Sequence, residues 1–144
     1  MLDRRLVGRT TTPGRNLVER GAVRRFADAL GEDNPIHRSE RAARAMGYPG
    51  IVAPPTFPVT FEAGSDLREL LGVANGEVLL AEQVFEYERP IVVGETILVT
   101  HRIDEISSRD GISGAMELVV ISETGRLTSG EVVYRGRHQL VARV

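Results

Sequence analysis

The stretch LGEDNPIHRSERAARAMGYPGIVAPPTF, residues 30–57, packs acids, an amide and an imidazole into the link between two helical patterns. Upstream of it, Ala22, Val23, Phe26, Ala27 and Leu30 recur at three- and four-residue spacing, which predicts a helix with Arg24, Arg25 and Asp28 on its outer face. Gly31 suits the end of that helix, because glycine takes the left-handed backbone conformation without steric cost. Downstream, Ser39 is a candidate N-cap for a short helix over 40–46, closed by Gly47. Pro54 and Pro55 suit the first turn of a third helix, where amides lack intrahelical partners and a missing N–H costs nothing. Glu32, Asp33, Asn34 and His37 are thus gathered on one polar loop, just before a helix start.

Outward from this stretch the pattern divides in two. Before it, the turn signal Thr12-Pro13-Gly14 precedes a brief strand at Leu17 and Val18. After it, Ser65 or Asp66 caps a further short helix to Leu71, ended by Gly72. From Val78 onward helical spacing gives way to alternation, and 84–88, 97–106, 116–122 and 131–135 read as four strands. Turn signals separate them at 90–94, Asp110-Gly111 and Thr124-Gly125. The expected class is α+β, with the first half supplying helices that cover one face of an antiparallel meander.

A chain of 144 residues fits one domain, 1–144, with a core large enough to need no metal or disulfide. A net charge of -2 and a pI near 5.9 argue against nucleic-acid binding. All 18 basic residues are Arg, so Arg is the only fixed cation available to an anionic ligand. With no Cys, disulfides and thiolate chemistry are excluded. No apolar run approaches the roughly 18 residues of a membrane span, and 1–12 lacks the apolar core of a signal peptide, so a cytoplasmic protein without a membrane partner is expected.

A carboxylate and an imidazole that reach the same substrate atoms can take a proton from water and deliver one elsewhere, which makes Glu32 and His37 the candidate acid–base pair. Asn34 can position the loop or a water, and Asp33 is the alternative acid or base. The amides at a helix start, with the positive end of its dipole, stabilise an oxyanion such as a thioester enolate. Gly50, Ala53 and Thr56 are therefore the candidate substrate-binding positions. The same residue types also make an ordinary turn with His37 in solvent. His101 shares a strand face with Ile97, Val99 and Ile103 and reads as a packed or interfacial histidine, while His138, close to the last residue, reads as solvated. With the three histidines dispersed in sequence, no metal site is expected.

The run Phe26-Ala27-x-Ala29-Leu30-Gly31-Glu32-Asp33-Asn34-Pro35-Ile36-His37 resembles the signature of the MaoC-like (R)-specific enoyl-CoA hydratases. GYPGIVAPPTF, residues 47–57, is similar to the mycobacterial-type hydroxyacyl-thioester dehydratase subunits and to the N-terminal half of double-domain MaoC dehydratases. YERPIVVGETI, residues 87–97, is similar to a strand–turn–strand of those families, and the match spans 17–138. The resemblance implies a hot-dog fold, an antiparallel sheet wrapped around a central helix, associating as a homodimer or as a heterodimer with a related subunit. It implies reversible hydration and dehydration of enoyl and 3-hydroxyacyl thioesters of CoA or acyl carrier protein. No cofactor is implied, because the thioester itself acidifies the α-carbon. In the family an Asp activates water, a His transfers the second proton, and an amide at the helix start holds the thioester oxygen. By position the His falls on His37, the Asn on Asn34 and the Asp on Glu32, one methylene longer. The family's carbonyl-binding Gly falls on Pro54, which has no N–H. Two alternatives follow: a non-catalytic acyl-thioester-binding subunit of a heterodimeric dehydratase, and a thioesterase using Glu62 on the central helix.

Overall fold

The computed structural model describes residues 1–73, 77–112 and 114–143. Its framework is one five-stranded antiparallel sheet: β1 (Gly14–Leu17), β2 (Val78–Tyr87), β3 (Thr96–Gly111), β4 (Gly114–Leu127) and β5 (Val132–Arg143). The spatial order is β1-β3-β4-β5-β2. The four alternating segments are strands as expected, but all four run well past the predicted bounds. The order is also not a plain meander. β2 pairs with β5 at the far edge, and the segment 88–95 carries the chain across the sheet to β3.

Thr124-Gly125 is not a turn. Both residues lie inside β4, and the turn follows at Gly130, which has φ +93°. Gly125 is required for packing instead: a Cβ there would sit 2.1 Å from Cε1 of the buried Tyr134 ring. Tyr134 is opposite Gly125 in the β4–β5 register, so the glycine makes the space into which the ring lies.

The helices stand where capping chemistry places them. α1 (Arg20–Leu30) buries Val23 and Ala27 and ends at Gly31, φ +69°, whose N–H donates to Ala27 and Asp28 carbonyls. α2 (Glu40–Ala45) begins at Ser39, whose hydroxyl accepts from the Ala42 N–H. α3 (Leu67–Leu71) is capped by Asp66 and closed by Gly72 in the left-handed region.

The helix expected near Pro54 is the main departure. Pro55 and Thr56 form a turn, followed only by a 3-10 helix, Phe57–Thr60, after which Phe61 is extended. The reason is tertiary. Asn16 of β1 accepts from the Glu62 N–H and donates to the Glu62 carbonyl, both at 2.9 Å, and Gly64 N–H donates to Thr12 O at 2.8 Å. Residues 62–64 are thereby stitched alongside the β1 edge, against Gly14, where a Cβ would meet Glu62 O at 2.1 Å. Glu62 accordingly lies outside any helix.

Two apolar clusters form on the sheet. One joins Val23 of α1 and Phe57 to Ile97, Val99 and Tyr134. The other joins Leu71 to Ile103, Val119, Ile121 and Ala142. Together α1, the 3-10 helix and α3 make the helical layer over the sheet, so the hot-dog expectation holds with its central helix reduced to short pieces. Among the described residues no helix is long and apolar enough to cross a membrane.

Candidate active site

The loop after α1 is built to hold His37. Glu32 N–H closes α1 on Ala27 O (2.9 Å), and the Glu32 carboxylate then accepts from the Asn34 N–H (3.1 Å). The Asn34 side-chain oxygen accepts from Ile36 N–H (3.2 Å), capping the 3-10 helix Pro35–His37, whose first residue needs no amide partner. Arg38 clamps the loop from outside, pairing with Asp28 and donating to Glu32 O at 2.6 Å. Asn34 therefore holds the loop's shape, one of the two roles the sequence suggests for it.

His37 is 5% exposed, and its Nδ1 lies 2.5 Å from Val52 O. A carbonyl only accepts, so Nδ1 carries the proton and Nε2 is left with its lone pair. The reading of His37 as a solvated turn residue is thereby corrected. The carbonyl is itself well anchored, because Val52 N–H donates to Ile36 O (3.1 Å) and Val52 bridges Val92.

A cavity of about 540 Å³ is lined by Glu32, Asn34, His37, Tyr48, Ala53 and Tyr87, a size suited to a small organic ligand. The structure thus brings Glu32, Asn34, His37 and Ala53 to one place. It does not bring Asp33, which is exposed and off the cavity wall. Gly50 and Thr56 are also off the wall: Gly50 is buried, with Val92 Cγ1 only 3.1 Å from where a Cβ would stand, and Thr56 is exposed.

The amides expected to hold an oxyanion are mostly spent. Ala53 N–H donates to Ile91 O (2.8 Å), Pro54 and Pro55 have no N–H, and Phe57 N–H donates to Pro54 O (2.9 Å). Ala53 therefore contributes to the wall without a free donor. Sequence reasoning missed Tyr48 and Tyr87, although both lie inside the motif-bearing stretches. Tyr48 is half-buried with its hydroxyl unpaired among the described residues, whereas Tyr87 donates to Pro55 O (2.5 Å) and so pins the proline turn to β2. Burial, and then the charge of Glu123, push the Tyr87 phenol above its usual range. Arg89 lines the cavity as well, but its guanidinium is paired with Glu95.

The other two histidines are not dispersed in space. His138, expected in solvent, is 6% exposed, because the core-facing positions of β5 include residue 138. His101 on β3 lies opposite Glu123 on β4, with Nε2 2.5 Å from Oε1, and His138 Nε2 stands 3.4 Å from the same oxygen. Burial works to raise the Glu123 pKa, but the His101 hydrogen bond, the His138 Nε2 close to the same oxygen, the His101 charge and the Tyr134 hydroxyl outweigh it and hold the carboxyl down at about 2.

Comparison with known proteins places this geometry in a family. Residues 5–135 match the family model described as FAS1-like, dehydratase domain region. The chain belongs to the FAS1-like dehydratase-region family. Among its relatives, a UPF0336 protein of Streptomyces coelicolor is 39% identical over 115 residues, covering 76% of this chain and 77% of that one. Another UPF0336 protein, from Parafrankia, is 37% identical over 148 residues, covering 99% and 95%. The 3R-hydroxyacyl-ACP dehydratase complex HadBC of Mycobacterium tuberculosis superposes with TM-score 0.78 at 24% identity, over 95% of this chain and 97% of that one. The (R)-hydratase of A. caviae superposes with TM-score 0.72 at 14% identity, over 93% and 94%. A MaoC-like dehydratase gives TM-score 0.77 at 30% identity over 95% of this chain, which spans 42% of that one. The hot-dog architecture is thus shared with the MaoC-like dehydratases.

Proposed function

We propose that this FAS1-like dehydratase-family chain hydrates enoyl thioesters and dehydrates 3-hydroxyacyl thioesters, carried on CoA or acyl carrier protein, with Glu32 and His37 as acid and base. The single observation that carries the reading is the His37 ring, locked by Val52 O through Nδ1 so that Nε2 is its free nitrogen, on a cavity that Glu32 shares. In the dehydration direction Nε2 takes the α-proton, the Cβ–O bond breaks, and Glu32 gives its proton to the departing hydroxyl, which leaves as water. Hydration is the reverse. The negative charge passes through the thioester oxygen, and a donor aimed at it lowers the barrier most. Pro54 and Pro55 supply none and the Ala53 amide is taken, so the Tyr48 hydroxyl is the polar group on this wall best placed by its freedom to take that role.

A hydration assay following loss of enoyl-CoA absorbance tests the reading. His37→Ala, with its fold verified by circular dichroism, is expected to lose roughly 100- to 10,000-fold in kcat. Unchanged turnover would remove the mechanism.

A second reading has its own support. Edge strand β2 leaves Leu79 and Leu80 64% and 56% exposed, and a bare apolar edge favours pairing with another strand. Together with the spent amides of Ala53 and Phe57 and the two prolines between them, this favours a chain that works beside a second hot-dog subunit supplying the missing donor. Ordinary turnover by the chain at concentrations where sedimentation shows a monomer would exclude it.

A further inference from the structure

We propose a divalent transition-metal site of the zinc type, built by His101, Glu123 and His138 on the core face of the sheet and separate from the His37 cavity. The three residues come from adjacent strands. His101 is opposite Glu123, and Gly136 is the residue of β5 opposite Glu123, with His138 two positions along on the same face. The glycine matters: a Cβ at 136 would stand 3.2 Å from Glu123 Cβ and 3.4 Å from His138 Cε1, so its absence lets the imidazole lean over the carboxylate. One donor atom from each residue lies within 4.8 Å of the others.

Two of the three donor separations suit a metal after a small adjustment, and the third, between the two imidazoles, lies within 4.8 Å. Donors about 2.0–2.1 Å from a tetrahedral ion stand roughly 3.3 Å apart. The His138 Nε2 to Glu123 Oε1 separation of 3.4 Å already fits, and His101 Nε2, now 2.5 Å from Oε1, needs to withdraw by under about 1 Å. His101 has room to do so, because it lines a second cavity of about 520 Å³. Two imidazoles and a carboxylate suit zinc, iron(II), cobalt or nickel, and leave a coordination position for water or ligand. That cavity is also lined by Glu62 and Asp66, two acids against the single cation Arg68 among the described residues.

The polar atoms around the cluster are incompletely partnered among the described residues. His138 is buried with neither ring nitrogen in a well-formed hydrogen bond, its Nε2 standing 3.4 Å from Glu123 Oε1, and His101 Nδ1 is likewise buried and unpaired, while Glu123 Oε2 and the Tyr134 hydroxyl beside this carboxylate lack other partners. Buried polar atoms are nearly always satisfied, and one ion bonded to His138 Nε2 and Glu123 removes the costliest of these deficits.

The test uses the full chain, stripped with chelator and titrated with zinc chloride by calorimetry and with cobalt chloride by visible absorption. One saturable site is expected, with Kd below about 1 µM and with the intense cobalt bands of a tetrahedral site. His101→Ala, on the cavity wall, is expected to weaken zinc binding at least 10-fold, and His138→Ala likewise, while His37→Ala binds as the parent does. Absence of saturable binding by the parent chain would overturn the site and leave a buried imidazole–carboxylate network only. So would His101→Ala and His138→Ala variants, folded by circular dichroism, that bind zinc unchanged.

Discussion

Glu123 offers the sharpest test of how the core is held together. Its carboxyl is 4% exposed and titrates near 2 in the folded chain, against an ordinary value of 4.5. At about 1.36 kcal/mol per pH unit, that interval makes the ionised group worth about 3 kcal/mol to the folded state. The sign follows from the lowered value: the contribution is complete above 4.5, declines as pH falls through the window, and is lost below about 2. By pH 3 about 2 kcal/mol of it is gone, which for a chain of this size is roughly 6–8 °C in Tm. Glu123→Gln has no such proton to bind. Thermal melts of both proteins between pH 7 and pH 3, with chelator present throughout, give the difference directly. Glu123→Gln is expected to be the less stable near neutrality, with the gap narrowing by about 2 kcal/mol on acidification. A gap that stays constant with pH would refute the reasoning, because it would mean that the folded state does not depress this carboxyl.

Asn34→Ala removes the oxygen that accepts from Ile36 N–H, so it should cost about 1 kcal/mol in urea denaturation and, by loosening the turn that aims His37, about 10-fold or more in kcat. Asn34→Asp, which keeps the acceptor, should recover the stability. Gly125→Ala drives a methyl into the Tyr134 ring, itself packed by Phe61, Phe85 and Tyr87, and should lower stability by about 1–3 kcal/mol; an unchanged Tm would contradict the packing described. Tyr48→Phe should leave Tm within the error of a surface change and reduce kcat about 10-fold, a split that a purely structural tyrosine would not give.

Much of the local structure was decided by short-range chemistry that a sequence displays. Gly31, Ser39, Asp66 and Gly72 act as caps where capping rules put them, and each acts on amides or carbonyls within a few residues. The loop from Glu32 to His37 was legible for the same reason: the carboxylate, amide and proline that shape it are neighbours in the chain. The period-two alternation that marks β2 to β5 is equally local, since it records only which side of a strand faces the core.

What the sequence could not decide are the contacts between residues far apart along it. Asn16, 46 residues upstream of Glu62, ends the helix that two prolines seemed to begin. Gly125 reads as a turn until Tyr134 is laid over it, and β2 pairs with β5 only because the 88–95 crossing carries the chain over the sheet. His101, Glu123 and His138 look unrelated at separations of 22 and 15 residues. Antiparallel register sets them side by side, because pairing distance in a sheet depends on where the strands turn and not on how many residues lie between them.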